Sequence, residues 1–516
     1  MPTTETCTGH TPPGGAGIPW GECSGLAGQE IRTDILVVGS GPGGAMTATL
    51  LAENGQAVIM LEEGAWTSQE SCIPFSRAEM IYKYRHGGLT AAMGSPPLAY
   101  VEGCCAGGGS EINSGLYHRS PPETLWRWSR ENGVRHLTPE TMEPHFAAVE
   151  QDIGVMLHPG TPPLNSLKLA LGAKNLGWHA MEVPRWYSYL PIPVGSEKTA
   201  ERPFLEQRNT MTRTLIPRFL RAGGTLLVRF RVEGVRFWNH AWEVTAVPTC
   251  SVPRPARKTF FARHLFLAAG AIGTPALLQR NKLAPLAGGR LATHPTLKVT
   301  ARFPEQVNLP HTGVGVHQVK EFSPRMGFGC AVSSAPHLAI SLLDHPRYLP
   351  LVEGQSEHLA VYYVMVRGEG RVVTHSSLRH PLPLWHMPET AWRDLAAGLR
   401  HLARLLFAAG ADTLWPQVAG MEPLRHAGHL SRLPNKLPAR NTRLMTIHLM
   451  GSCPMGEVGS DAVTDSFGRV HGQKNLYVCD ASLLCDAPGV NPQGSVMALA
   501  RRNVIHFLEQ KQDKNK

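Results

Sequence analysis

Two groups of small and polar residues, near opposite ends of the 516-residue chain, have types and spacings that can do chemistry. The first is Gly39-Ser40-Gly41-Pro42-Gly43-Gly44, which follows the apolar run Ile35 to Val38 and precedes a segment with Ala45, Met46, Thr49 and Leu50 at helical spacing. Gly39 lets the chain turn off a strand, Gly41 lets backbone approach a phosphate, and Gly44 lets helix and strand pack closely. The free N–H groups and dipole at the helix start can then hold a pyrophosphate. A second apolar run, Ala57 to Leu61, ends in Glu62, 18 residues beyond Gly44 and at the distance where a carboxylate accepts a bond from an adenosine ribose. This pattern predicts a dinucleotide site without choosing between NAD and FAD.

The second group spans IHLMGSCPMG (447–456), GRVHGQKNLYVCDASLL (468–484) and APGVNPQGSVMALARRN (487–503). Here a short strand, Leu476 to Val478, is predicted to end near Asp480. A helix from Ser495 to Val504 is predicted to start behind Asn491-Pro492, its N-terminus favouring negative charge or an electron-rich carbonyl. Between the groups lies Gly103-Cys104-Cys105-Ala106-Gly107-Gly108-Gly109-Ser110-Glu111-Ile112-Asn113. So many small residues mean either close backbone approach to a ligand or a flexible loop.

Several other elements must position these groups. Residues 1–30, rich in Pro, Gly and Thr, are predicted to form a surface arm. The segment 65–100 looks irregular around a helical fragment, Arg77 to Tyr84. Thr138 caps a predicted helix with Met142, Phe146, Val149 and Ile153 on one face and Pro144 as a potential bend. Arg213 to Phe237 predicts a helix ended by Gly223-Gly224 and two strands, and Leu265 to Ala268 a buried strand before a small-residue turn and helix. Strand and helix units thus resume after a long insertion, so the nucleotide domain is discontinuous. His358 to Val366 alternates like a strand. Trp392, Leu395, Leu399, Leu402 and Leu406 share one helix face, read as core-facing rather than membrane-bound.

Composition bounds the rest. An apolar fraction of 42% suits a globular protein of two or three joined domains, and no uninterrupted apolar stretch reaches the 18 residues of a membrane span. The N-terminus lacks the pattern of a secretory signal, so the expected location is cytoplasmic. Ten scattered cysteines without a CxxC read as reduced thiols; a redox or metal role for Cys104-Cys105 is the alternative, and no metal site is expected. The formal charge of +10 is spread along the chain apart from the tail Lys511 to Lys516, which argues against nucleic acid and suits an acidic ligand such as a dinucleotide phosphate.

Taken together, the Gly39 loop with Glu62, GGGSEIN, AAGAIGTPALL, THP (293–295), HLMGSCPMG and VCDASLL…NPQ resemble the glucose-methanol-choline (GMC) oxidoreductase family of FAD enzymes, from about Asp34 to Phe507. The resemblance implies an α/β chain with a Rossmann-like FAD-binding domain (31–160, 213–300 and 441–516). It also implies an α+β substrate domain on an antiparallel sheet (161–212 and 301–440). Gly39, Ser40, Gly41, Gly44 and Glu62 would serve the ADP half of FAD, with Val232 meeting the adenine through its backbone. Gly109, Ser110 and Asn113 would lie beside the pyrophosphate and isoalloxazine, and Asp480, Ala481, Asn491, Pro492 and Gln493 along the ribityl chain and pyrimidine edge. His448 occupies the family's base position and Asn491 its partner position, which suits an alcohol that loses a proton as its hydride leaves. Some members attach FAD through a His before the Asn of the glycine segment; here that residue is Ile112, so FAD is expected to be non-covalent. Pro454 and Cys485-Asp486 also depart from the family's usual Arg and Pro-Thr, which bears on packing and acceptor access.

The expected activity is therefore FAD-dependent oxidation of a small-molecule alcohol, with oxygen or another electron acceptor and no membrane association. The wording of HLMGSC and VCDASLL is similar to members acting on long-chain and bulky alcohols, while a sugar or aminocyclitol hydroxyl stays open. Two alternatives remain: a flavin-binding lyase of the same fold, and a non-enzymatic flavoprotein using its basic surface and the Trp392 helix at membranes.

Overall fold

The computed structural model describes residues 20–21, 30–67, 72–191, 204–249, 257–309, 313–374, 380–457 and 461–515. Most of the predicted N-terminal arm lies outside them, but Trp20–Gly21 forms an edge strand paired with Leu226 and Leu227.

Apolar runs that alternate with helices must be covered on both faces, which favours a parallel sheet. Strand β1 (Ile31–Val38) leads into helix α1 (Pro42–Glu53) and strand β2 (Val58–Leu61). The same eight-stranded sheet continues with β3 (Thr225–Leu227), β4 (Phe230–Trp238), β5 (Ala241–Pro248) and β6 (Lys258–Leu267), with Leu476–Val478 pairing beside β6. Ile35 to Val38 are buried throughout, as expected for a strand sandwiched between layers. Helix α2 (Gly270–Arg280) follows β6 directly.

Register decides where the site lies. Val38 pairs with Leu61 and with Leu267, Leu61 with Leu227, and Leu267 with Val478. The parallel strands therefore end level with one another, and Gly39, Glu62, Ala268 and Asp480 all emerge along one sheet edge. In open α/β sheets that carboxyl edge is where ligands bind.

A second, nine-stranded sheet runs in the order 90–92, 98–100, 444–446, 296–302, 359–366, 326–330, 317–319, 180–182, with 413–416 beside 296–302; all its pairings are antiparallel except 444–446 with 98–100. Helix α3 (Glu389–Ala408) packs on it with Trp392, Leu395, Leu399, Leu402 and Leu406 all buried, so its apolar face belongs to the core. Among the described residues no helix is long and apolar enough to cross a membrane. A two-stranded sheet joins the two bodies: β7 (Ala292–Thr293) pairs antiparallel with β8 (Leu449–Met450).

Some boundaries differ from those read from sequence. The strand predicted at Leu265–Ala268 begins at Lys258, because Lys258, Phe260 and Ala262 are buried at period two under an antiparallel neighbour. The final helix, α4 (Gln493–Asn515), starts at Gln493 rather than Ser495. Strands 90–92 and 98–100 lie in the segment read as irregular. Helix Pro139–Asp152 runs through Pro144, with Thr138 accepting from the Thr141 N–H as its N-cap.

Candidate active site

A cavity of about 540 Å³ opens along the carboxyl edge of the first sheet and reaches the β7–β8 junction. Gly39, at φ +104°, turns the chain off β1, and a Cβ there would meet the Ala268 carbonyl oxygen at 2.2 Å. At Gly44 a Cβ would meet the Gly39 carbonyl oxygen at 2.1 Å, so this glycine lets α1 sit against the strand end. Gly41 and Gly109 are different: both line the cavity, and a Cβ on either would meet nothing within 4 Å. Their missing side chains are the space itself.

The start of α1 has no side-chain cap and no acidic residue in its first turn, so N–H groups beyond Pro42 are left for a ligand. An uncapped helix N-terminus between two glycine loops fits a pyrophosphate, and a carboxylate one strand away fits a ribose. The cleft is thus suited to the FAD that the sequence implies.

Of the residues predicted to bind it, Gly39, Gly41, Glu62, Gly109, Asn113, Val232, Asp480, Ala481, Asn491, Pro492 and Gln493 line the cavity together with His448. Ser40, Gly44 and Ser110 stand behind the wall. Ser40 donates to Glu62 Oε2 at 2.6 Å and accepts from the Gly107 N–H at 3.0 Å, tying the two glycine loops together. Ser110 donates to the Gly107 carbonyl and accepts from the Met211 N–H. Small side chains at these places are explained by packing.

Glu62 is also held before any ligand arrives. Its Oε2 accepts from the Ser40 N–H and hydroxyl, and its Oε1 from the Gly64 N–H at 2.7 Å. Oε1 keeps one lone pair for a ribose hydroxyl. Burial outweighs these bonds and raises the carboxyl above its usual range. Asp480 accepts from the Gly270 N–H and Thr274 hydroxyl on one oxygen and the Ser482 N–H and hydroxyl on the other. It therefore clamps the start of α2 to the turn after Val478. Asn113 donates to Gln493 Oε1 at 2.8 Å and so links the second glycine loop to the first turn of α4.

At the far end, His448 Nε2 lies 3.5 Å from Asn491 Nδ2. Burial pushes the His448 imidazole down to about 4, which keeps it uncharged near neutrality. His448 Nδ1 lies 3.0 Å from Nδ1 of His294, a fully buried histidine from the THP segment whose role had no separate sequence signal. Asn491 Oδ1 accepts from Gln318 Nε2 at 3.3 Å, and Gln318 Oε1 accepts from Lys320 Nζ at 2.6 Å. Burial pushes the Lys320 ammonium down to about 8. Gln318 and Lys320 come from a stretch of sequence with no motif, so only the fold connects them to the site.

Sequence reading also missed the buried charges under the second glycine loop. Glu111 accepts from the Thr212 hydroxyl at 2.8 Å, and a Cβ at Gly107, whose φ is +86°, would strike Glu111 Oε1 at 2.3 Å. Nearby, Glu79 pairs with Arg208. The departures noted at 112, 454 and 486 have plain places: Ile112 lines the cavity, Pro454 accepts from the Val463 N–H, and Asp486 pairs with Arg127 and accepts from Trp128 Nε1. Cys104 and Cys105 are free thiols, and among the described residues no cluster could hold a metal ion.

Comparison with known proteins agrees with this geometry. The GMC oxidoreductase family models match residues 80–296 and 367–500, and an FAD binding domain model matches 32–101. An uncharacterised GMC-type oxidoreductase of Sinorhizobium fredii is 34% identical over 92% of this chain and 94% of its own. A long-chain-alcohol oxidase of Arabidopsis thaliana is 25% identical over 91% of this chain and 67% of its own, and a cholesterol oxidase of Mycobacterium tuberculosis 25% identical over 91% and 90%. The crystal structure of pyridoxine 4-oxidase from Mesorbium loti superposes with a TM-score of 0.68 at 20% identity, covering 92% of this chain and 99% of that one.

Proposed function

Since the chain belongs to the GMC oxidoreductase family of FAD-dependent enzymes, we propose that it oxidises an alcohol with an apolar body to the aldehyde or ketone. The observation that carries this reading is the pairing of His448 Nε2 with Asn491 Nδ2 on the wall of the cavity that also reaches both glycine loops. In this reading the alcohol oxygen sits against these two nitrogens. His448 Nε2 takes the hydroxyl proton, and the Asn491 amide donates to the oxygen as negative charge grows on it. The N-terminus of α4, with no acidic residue in its first turn, favours the same charge. FAD, when bound, supplies the hydride acceptor.

The apolar body is supported by residues of the same cavity. Leu89 and Ile447, which is adjacent to His448, are 87% and 50% exposed and line it together with Leu382, Pro381 and Pro383. Relatives named for long-chain alcohols and for cholesterol agree with that choice. Neither the lyase nor the membrane-surface alternative has an observation in its favour, and the Trp392 face on which the second relied is buried.

Ile112 supports a non-covalent FAD, because no nucleophilic side chain stands at the position where some relatives attach it. The test is anaerobic addition of an alcohol panel running from primary long-chain alcohols to sterols and sugars, read as bleaching of the flavin band and followed by air. His448→Ala should slow bleaching by about 10²- to 10⁴-fold with FAD still bound. Near-normal bleaching by that variant would remove His448 from the role of base.

A further inference from the structure

Cross-strand register places His294 against His448. Ala292 pairs with Met450 and Thr293 with Leu449, so the next residues in register are His294 and His448. The Thr446 hydroxyl accepts from the backbone N–H of both, at 3.3 and 3.2 Å, and the two rings stand 84° apart. Between the two Nδ1 atoms, 3.0 Å apart, there is room for one hydrogen.

Which ring owns it follows from the neighbours. The Gly489 backbone N–H donates to His294 Nε2 at 3.2 Å, so that nitrogen carries the lone pair. A neutral imidazole has one N–H and one lone pair. The hydrogen of His294 is therefore on Nδ1, and Nδ1 of His448 accepts it. The hydrogen of neutral His448 is then left on Nε2, facing the cavity.

The other side of His448 is fixed in the same way. The Lys320 ammonium occupies Gln318 Oε1, which turns Gln318 Nε2 toward Asn491 Oδ1 and Asn491 Nδ2 toward His448. The two end contacts compete for this pair of rings, and the shorter one, 3.2 Å from the Gly489 backbone N–H against 3.5 Å from Asn491 Nδ2, decides the resting tautomer and leaves the Asn491 N–H for a ligand. In the resting arrangement His448 Nε2–H and Asn491 Nδ2–H converge on one space and match an oxygen that accepts two bonds, such as an alkoxide or carbonyl.

We propose that His294 is a positioning residue that sets the tautomer of His448, and with it whether the ring meets the substrate oxygen as a donor or as an acceptor. The proposal rests on the reading of His448 as the base. To take a proton at Nε2, His448 must carry its own hydrogen on Nδ1 and donate it to His294 Nδ1. Reaching that tautomer takes three moves: the shared hydrogen shifts from His294 Nδ1 to His448 Nδ1, the Nε2 proton of His448 leaves to water in the cavity, and water returns a proton to His294 Nε2, where the Gly489 N–H gives up its acceptor. In that tautomer the alcohol O–H breaks, its proton bonds to Nε2, the electron pair stays on oxygen, and the resulting imidazolium donates from Nδ1 to His294. The pair of histidines, not one ring, is the unit that handles the proton.

Two substitutions separate this from a merely structural role. His294→Gln reaches the Nε2 position and can accept from Gly489 while offering nothing to His448 Nδ1. His294→Asn puts an amide at the Nδ1 position, which can turn either its oxygen or its nitrogen to His448. With 1-dodecanol and benzyl alcohol as probes, anaerobic flavin reduction should fall about 10- to 100-fold in His294→Gln. It should return to within about threefold of wild type in His294→Asn. Equal rates in wild type and His294→Gln, or no recovery in His294→Asn, overturn the proposal. A readout without turnover is the ¹⁵N spectrum of histidine-labelled, flavin-loaded protein, with His448 assigned by its loss in His448→Gln. It should show the His448 hydrogen on Nε2; a hydrogen on Nδ1 in the resting protein refutes the assignment. If no alcohol reduces the wild-type flavin, the alcohol reading fails by itself, and the spectrum still decides the tautomer.

Discussion

The acid limb of flavin reduction offers a quantitative test of His448, because the ring can take a proton only while it is uncharged. Burial pushes its pKa down to about 4 from the ordinary 6.5 or so, and a bound flavin would remove further water from the same wall. The direction follows: as the proposed base, His448 is competent above its pKa and is lost as pH falls through it. At pH 5.5 a group titrating at about 4 is about 97% uncharged, whereas an ordinary histidine would be about 9% uncharged. The groups that interact with it are His294 and His118, both held well below the usual histidine range by burial; Arg367 and Lys320, whose ammonium burial pushes down to about 8, act on His294. The clean window is therefore about pH 4.5 to 7. Stopped-flow measurement of the apparent second-order rate of reduction across that window should stay near its plateau down to pH 5. A half-maximal point between pH 6 and 7 would show that the site is wetter than the structure implies, or that another group is the base. The same profile in His448→Gln should be low and flat.

Three other outcomes follow from the structure. Gly109→Val or Gly41→Val places carbon in the open cleft, and the flavin-to-protein ratio after purification should fall by at least about tenfold while secondary structure is kept. Heat or acid precipitation of the wild-type protein should release all flavin to the supernatant; a yellow pellet would mean an attachment that Ile112 cannot make. Asp480→Ala strands the backbone N–H groups of Gly270 and Ser482, at about 1–3 kcal/mol each, and should lower the melting temperature by several degrees; an unchanged melt would show that the clamp is not needed.

The framework of the first sheet was legible because its chemistry is local. A strand, a glycine turn, a helix and an acid all fall between Asp34 and Gly64, and each is specified by residue types within a few positions. Lys258 to Ala262 were missed because their burial comes from an antiparallel neighbour, a property of the sheet and not of the strand. Strands 90–92 and 98–100 are three residues each, too short for a period to be read.

The candidate catalytic end divides differently. His448 and Asn491 could be named only by resemblance, since one histidine among 24 has no local signature of a base. Under the proposed reading, what decides their chemistry lies further away in sequence: Gly489 through its N–H, His294 through strand register, and Lys320 through Gln318. None of these is marked by its local sequence, since a backbone N–H belongs to every residue but proline, and the His294 and Lys320 side chains reach the site only through the fold. The Gly39 loop can be read from residues because a phosphate asks for absent side chains at fixed spacing. A base asks for a particular lone pair, and a lone pair is set by who donates to the ring. That information exists only once both sheets are joined at β7 and β8, and under the proposed reading it makes the junction, rather than the histidine alone, the determinant of whether His448 gives or takes a proton.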